Sequence, residues 1–179
     1  PGLEPNGVPK GLKGTVHPFE FNNLAQIQEI IANKKLAAVK MEVQRNELPK
    51  KGFLESIRDL CNKNGVVLIF DECTSGFRET YGGIHKKFNV QPDIAMFGKA
   101  LGNGYAITAV VGREEIMDAV QKTFISSTFW TERIGPTAAL KTLEVMKELR
   151  SWETITDTGN FIKSRWKQMF DSYKIKYLE

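Results

Sequence analysis

Cysteine and histidine are scarce in these 179 residues, with two of each: Cys61 and Cys73, His17 and His85. Two cysteines cannot make a disulfide framework, and four such residues spread along the chain do not have the spacing of a zinc-ligand set. A reducing compartment is the expected setting. No apolar run approaches the roughly 20 residues needed to cross a bilayer, and the first residues lack a charged-then-apolar leader pattern. The expectation is a soluble, cytoplasmic chain with no membrane partner. Charge of one sign is also thin: 25 Lys and Arg against 21 Asp and Glu leave a formal +4. The lysine pairs Lys34–Lys35, Lys50–Lys51 and Lys86–Lys87 stand apart from one another, as on a solvated surface rather than in a nucleic-acid groove. A weak positive field still favours anionic ligands.

The remaining composition is that of a globular chain, 41% apolar and 26% charged, long enough for one domain with a substantial core. No internal repeat or low-complexity tract is visible. Four of the seven prolines fall in residues 1–20, predicting an irregular, extended opening. A helix is expected over Asn23–Asn33, capped by Asn22 or Asn23, with Leu24, Ile27, Ile30 and Ile31 on one face. Leu36–Met41 reads as a strand. Phe53–Lys63 reads as a second amphipathic helix, with Gly65 suited to the position past its end. Val66–Phe70, VVLIF, is continuously apolar and β-branched, predicting a strand buried on both faces of a parallel sheet. Ile94–Phe97 and Ala106–Val111 are further strands. Glu114–Lys122, Pro136–Leu149 and Thr158–Tyr173 are further helices, the middle one with proline in its first turn. This alternation predicts an α/β fold, a mostly parallel sheet with helices on both faces.

Chemistry concentrates where two strands end. Asp71 and Glu72 follow VVLIF directly, and in open α/β sheets ligands bind beyond the carboxyl ends of strands. A carboxylate there needs a cationic or hydrogen-bonded partner, and a helix cap or an ion pair with Arg78 would satisfy it as well as a ligand. Lys99 follows the strand Ile94–Phe97 in the glycine-bounded run GKALGNG. Desolvation there would free its amine to attack a carbonyl, whereas a snorkelling surface lysine needs no such role. The two together are more telling. An aldehyde cofactor with a pyridine ring needs one amine to bind the aldehyde and one carboxylate to keep the ring nitrogen protonated.

Gly52–Phe53–Leu54 with Arg58, Gly65, LIFDE, Gly76–Phe77–Arg78 and PDIAMFGKALGNGYAITAVVG together closely resemble the central motif of class III aminotransferases. Within that class, the DE-x-x-x-GFR form is most similar to the glutamate-1-semialdehyde aminomutase group. The resemblance covers about residues 10–150. It implies the large domain of fold-type I pyridoxal-phosphate enzymes, with pyridoxal 5'-phosphate bound to Lys99 and its ring nitrogen held by Asp71. Cys73 falls where the family has a valine against the ring. Thr128, in Ser127–Thr128–Phe129, falls on a threonine that binds the cofactor phosphate of the neighbouring subunit. The segment Trp130–Pro136 departs from the family pattern and implies an altered substrate pocket. Glu42 matches a glutamate ending the preceding strand, with Val43 where proline is usual, and its expected role is structural.

The implied activity moves an amino group between a small-molecule amino donor and a carbonyl acceptor, in a homodimer with shared active sites. Aminomutases and racemases use the same residues, and a non-catalytic α/β scaffold would need neither Lys99 nor Asp71. Residues 1–150 are expected to form the cofactor-binding part of a large domain, and 151–179 to begin a C-terminal small domain. The family's phosphate loop and ring-stacking aromatic are not found here, and neither end resembles a first or last unit of a closed fold. A fragment of a longer enzyme is expected, inactive or nearly so in isolation.

Overall fold

The computed structural model describes residues 4–177. Residues 1–3 of the irregular opening, and Leu178 and Glu179 at the other end, lie outside the described residues. Among the described residues of the opening, a 3-10 turn at Lys10–Leu12 is the one regular element.

Helix α1 (Leu24–Asn33) starts where Asn23 accepts a hydrogen bond from the Gln26 amide through its side chain. Strand β1 (Ala38–Met41) and helix α2 (Phe53–Asn64) follow. Helix α2 ends on Gly65, whose φ of 64° places it in the left-handed region that glycine tolerates best. Strand β2 (Val67–Asp71) runs between β1 and β3 (Ile94–Phe97), parallel to both. Strand β4 (Ala109–Gly112) closes the order β1-β2-β3-β4 antiparallel to β3, three residues shorter at its start than the expected Ala106. A short helix α3 (Glu114–Met117) continues into a 3-10 turn at Asp118–Lys122. Helix α4 (Ile134–Leu149) begins two residues before Pro136, because the Glu132 carboxylate caps the amides of Ile134 and Gly135. Arg150, at φ 48°, turns the chain directly into α5 (Ser151–Ser172), seven residues ahead of the expected start.

Parallel partners point to the same side of a sheet, and this sets the two faces apart. Val39, Met41, Leu68 and Phe70 are buried under α1 and α2, with Ile27, Leu54 and Ile57 fully enclosed. Further along the same face Ala95 and Phe97 pack with Leu101 and with Ala139 of α4. On the other face Val67, Ile69 and Asp71 are only partly buried, and Lys40 is exposed. Burial of β2 on both faces was expected from its unbroken apolar run. Here α1 and α2 cover one face, and on the second Ile94 and Met117 of α3 both lie close to Gly112.

Asp93, just ahead of β3, ties the sheet to the helices. Its Oδ2 accepts from the Leu68 amide at 2.7 Å and from Arg58 at 3.0 Å, and Oδ1 accepts from Arg113 at 3.2 Å. Burial alone would push its carboxyl upward, but these donors outweigh it and hold it below the usual carboxylate range. Its stabilising contribution is therefore present above about pH 4 and lost as pH falls below that value. Replacing Asp93 with Asn should cost on the order of 3 kcal/mol at neutral pH, because it leaves Arg58 uncompensated. It should also flatten the acid limb of stability against pH. Denaturant titrations of both proteins at neutral and acid pH read both effects.

Candidate active site at two strand ends

The register pairs Asp71 with Met96, and the Glu72 amide donates to the Met96 carbonyl at 2.8 Å. Asp71 and Lys99, three residues past Met96, therefore leave the sheet at the same edge. Between them lies the segment that follows β2. The Cys73 amide donates to Asp71 Oδ1 at 3.1 Å, and the Cys73 thiol feels the charge of both Asp71 and Lys99. Lys99 Nζ donates to Thr74 Oγ1 at 2.9 Å. The structure thus brings three of the sequence-identified residues, Asp71, Cys73 and Lys99, into one cluster. It adds Thr74, which the sequence reading passed over because a lone threonine in DECTSG carries no signal of its own.

Lys99 has a φ of 40° at the start of a 3-10 turn, Lys99–Leu101. That conformation is unfavourable for a residue with a Cβ, by roughly 1 kcal/mol or more, and such outliers cluster at functional sites. The turn is over-determined by what surrounds it: the Leu101 amide donates to Gly98 O at 2.9 Å. A Cβ on Gly102 would lie 2.1 Å from the Tyr105 carbonyl, so only glycine fits there. Lys99 itself is exposed. Burial within this chain therefore does not supply the desolvation expected for its amine. Among the described residues Lys99 makes no ion pair.

The partner of Asp71 is neither a helix nor Arg78, whose Nε instead donates to the Thr74 carbonyl at 2.7 Å. It is Lys40 on β1, with Nζ 2.8 Å from Oδ2. This ammonium, more than the Cys73 amide, holds the Asp71 carboxyl below its usual range against the pull of partial burial. Glu42, at the end of β1, meets Arg45 at 3.5 Å. Thr128 opens an exposed turn, where Trp130 N donates to Ser127 O, and no hydrogen bond or ion pair joins it to the cluster among the described residues.

Glu72 anchors the segment from behind. Fully buried, it accepts from Ser75 Oγ at 2.6 Å and from the Ile84 and His85 amides at 2.8 and 3.0 Å, and its Oε1 lies 2.7 Å from His85 Nδ1. Burial would raise its carboxyl, but these partners, His85 first, hold it lower than usual. At Gly76 a Cβ would sit 2.7 Å from Phe97 and 2.8 Å from the Glu72 carbonyl, so the loop closes tightly onto β3. A pocket of about 500 Å³ opens beside Lys99, lined also by Arg78, Asn103 and Tyr105. Two larger hollows, of about 760 and 870 Å³, include none of Asp71, Cys73 or Lys99.

The donor set suits a pyridine aldehyde. A carboxylate that already holds one cation at hydrogen-bond distance matches a protonated ring nitrogen, and an amine engaged only by a hydroxyl is available to a carbonyl carbon. No group of three or more His, Cys, Asp or Glu residues is placed to hold a metal ion, and no helix is long and apolar enough to cross a membrane, among the described residues.

Changing Glu72 to Ala should cost about 3–5 kcal/mol, since it leaves several buried donors unmatched. Thermal melting, followed alongside the milder Glu72→Gln, measures it.

Comparison with known proteins points the same way. The aminotransferase class-III family profile matches residues 20–178. A 3-aminobutyryl-CoA aminotransferase of Cloacimonas acidaminovorans is 41% identical over 165 residues, 86% of this chain and 39% of its own. A glutamate-1-semialdehyde 2,1-aminomutase of Lachnoclostridium phytofermentans is 34% identical, over 96% of this chain and 42% of its own. The PLP internal aldimine form of the FumI protein of Sphingopyxis sp. MTA144 superposes with a TM-score of 0.83 at 24% identity, over 89% of this chain and 40% of that one, a likeness of fold. The chain spans about two-fifths of the length of the curated relatives it matches. It is a member of the class III aminotransferase family and carries part of the fold-type I architecture, a mostly parallel sheet flanked by helices.

Proposed function

We propose that this chain carries the cofactor-binding centre of a pyridoxal 5'-phosphate-dependent aminotransferase. The observation that carries the reading is the cluster at the ends of β2 and β3, where Asp71, Cys73, Thr74 and Lys99 meet. When bound, the cofactor supplies an electron-withdrawing ring that stabilises negative charge at the substrate α-carbon. Asp71 would hold the proton at the ring nitrogen. Lys99 Nζ would hold the cofactor through its aldehyde carbon, with loss of water, and once displaced by the substrate amine would carry a proton to and from the substrate α-carbon. Thr74 Oγ1 would orient Nζ, and Cys73 would pack against one face of the ring.

The reaction class is transfer of an amino group from a small-molecule donor to a carbonyl acceptor. A second reading, aminomutase chemistry, has support from the relative of that name at 34% identity. The assembly is a homodimer in the cytoplasm. Thr128 reaches the cofactor phosphate of the neighbouring subunit, in keeping with its position in an exposed turn away from its own cluster. Residues 1–150 belong to the large domain and 151–179 begin the small one. The left-handed Arg150 between α4 and α5 supports a boundary there.

Adding pyridoxal phosphate should produce a visible absorption band, and borohydride followed by peptide mapping should place the adduct on Lys99. Lys99→Ala should lose the band while its stability shifts by no more than about 1 kcal/mol, the scale of the backbone and surface terms it alters. A band that survives the substitution, or an adduct on another lysine, rejects the assignment. A scaffold that happens to keep Lys99 would show no band in either protein.

A further inference from the structure

Lys40 is the one charged residue of β1. It sits on β1, paired in register with Ile69, so its side chain leaves the same face as Asp71 two residues further along β2. That face is the partly open one, and nothing about packing calls for an ammonium there. Yet Nζ reaches 2.8 Å from Asp71 Oδ2, while the Cys73 amide takes Oδ1 at 3.1 Å. Both oxygens of the carboxylate are therefore occupied before any ligand arrives. An ionised carboxylate has about four acceptor positions, so a third donor can find a lone pair. A second full cation at the same oxygens meets the repulsion of the first.

Resting on the pyridoxal phosphate reading, we infer that Lys40 is a positioning residue that serves as the resident counter-ion of Asp71 and competes with the cofactor's ring nitrogen for its carboxylate. In the cofactor-free protein Lys40 holds the Asp71 carboxyl below its usual range and fixes its rotamer. When the ring cation docks, the lysine yields. It can do so readily, because its side chain is 54% exposed and ends on a flexible four-carbon stem. The nearby charges point the same way: Glu42, just past β1 and otherwise met by Arg45, attracts Lys40, and Lys99 adds a second cation near Cys73. The raised affinity of Lys40 for its proton, caused first by the hydrogen bond to Asp71, is the expected mark of the pair.

Lys40→Met keeps most of the side chain's length and removes its charge. On the full chain, its affinity for pyridoxal phosphate should rise about two- to five-fold, the range of a solvent-screened ion pair, and the gain should shrink with added salt. Lys40→Arg should remain close to the parent. An analogue with carbon in place of the ring nitrogen should bind parent and Lys40→Met alike. A carboxyl-carbon NMR titration of Asp71 without cofactor should show its midpoint rising in Lys40→Met toward the ordinary aspartate value. An unmoved midpoint overturns the counter-ion role outright. Equal affinities of both proteins for pyridoxal phosphate, or an equal gain for the nitrogen-free analogue, overturn the competition and leave the cofactor reading standing. Binding of pyridoxal phosphate by neither protein overturns both.

Discussion

Parallel pairing of β2 with β3 is what the candidate site rests on. It sets Asp71 beside Met96 and takes the Glu72 amide to the Met96 carbonyl, so the chain leaves both strands at one edge. The contacts of Cys73, Thr74 and Lys99 follow from that edge. Cys73 and Thr74 are delivered by the departure from β2, and Lys99 by the departure from β3. A slip of one residue would turn Asp71 to the opposite face, among Leu68 and Phe70 and the helices that cover them. The buried Asp93 guards against such a slip, because its carboxylate accepts from the Leu68 amide on β2 while its own backbone leads into β3.

Two kinds of rigidity keep the cluster in place. Behind it, Glu72 gathers a hydroxyl, two amides and an imidazole into one buried, fully hydrogen-bonded carboxylate, and so fixes both ends of the loop between β2 and the 3-10 turn Ile84–Phe88. In front, the Lys99 turn carries its unfavourable φ because Gly102 lets the chain double back against Tyr105. The loop gives Thr74 a fixed position and the turn gives Lys99 a fixed direction. Their hydrogen bond is the junction between the two.

The sequence made much of this readable. The amphipathic period of α2 and the glycine after it placed that helix nearly to the residue, and the run VVLIF followed by Asp71 placed β2 and its carboxylate. Lys99 stood out through its place after β3, paired with Asp71 after β2. Harder to see was anything that depends on which strand lies beside which. Lys40 is 31 positions from Asp71, and only the β1–β2 register reveals that they share a face. The half-open second face of β2 was hidden for a related reason: an apolar run states what a strand tolerates, not what covers it. Helix α5 starts earlier than its apolar period suggests, because the break from α4 is a single left-handed arginine rather than a glycine or proline.

The proposed site requires Asp71 and Lys99 to act on the same bound ring. Nitrogen NMR of the protein loaded with ring-labelled pyridoxal phosphate tests that most directly, since the ring-nitrogen shift reports its proton. A protonated nitrogen in the parent that loses its proton in Asp71→Ala, with the cofactor still attached to Lys99, is the predicted result. An identical shift in both proteins would show that Asp71 does not face the ring, and would contradict the account.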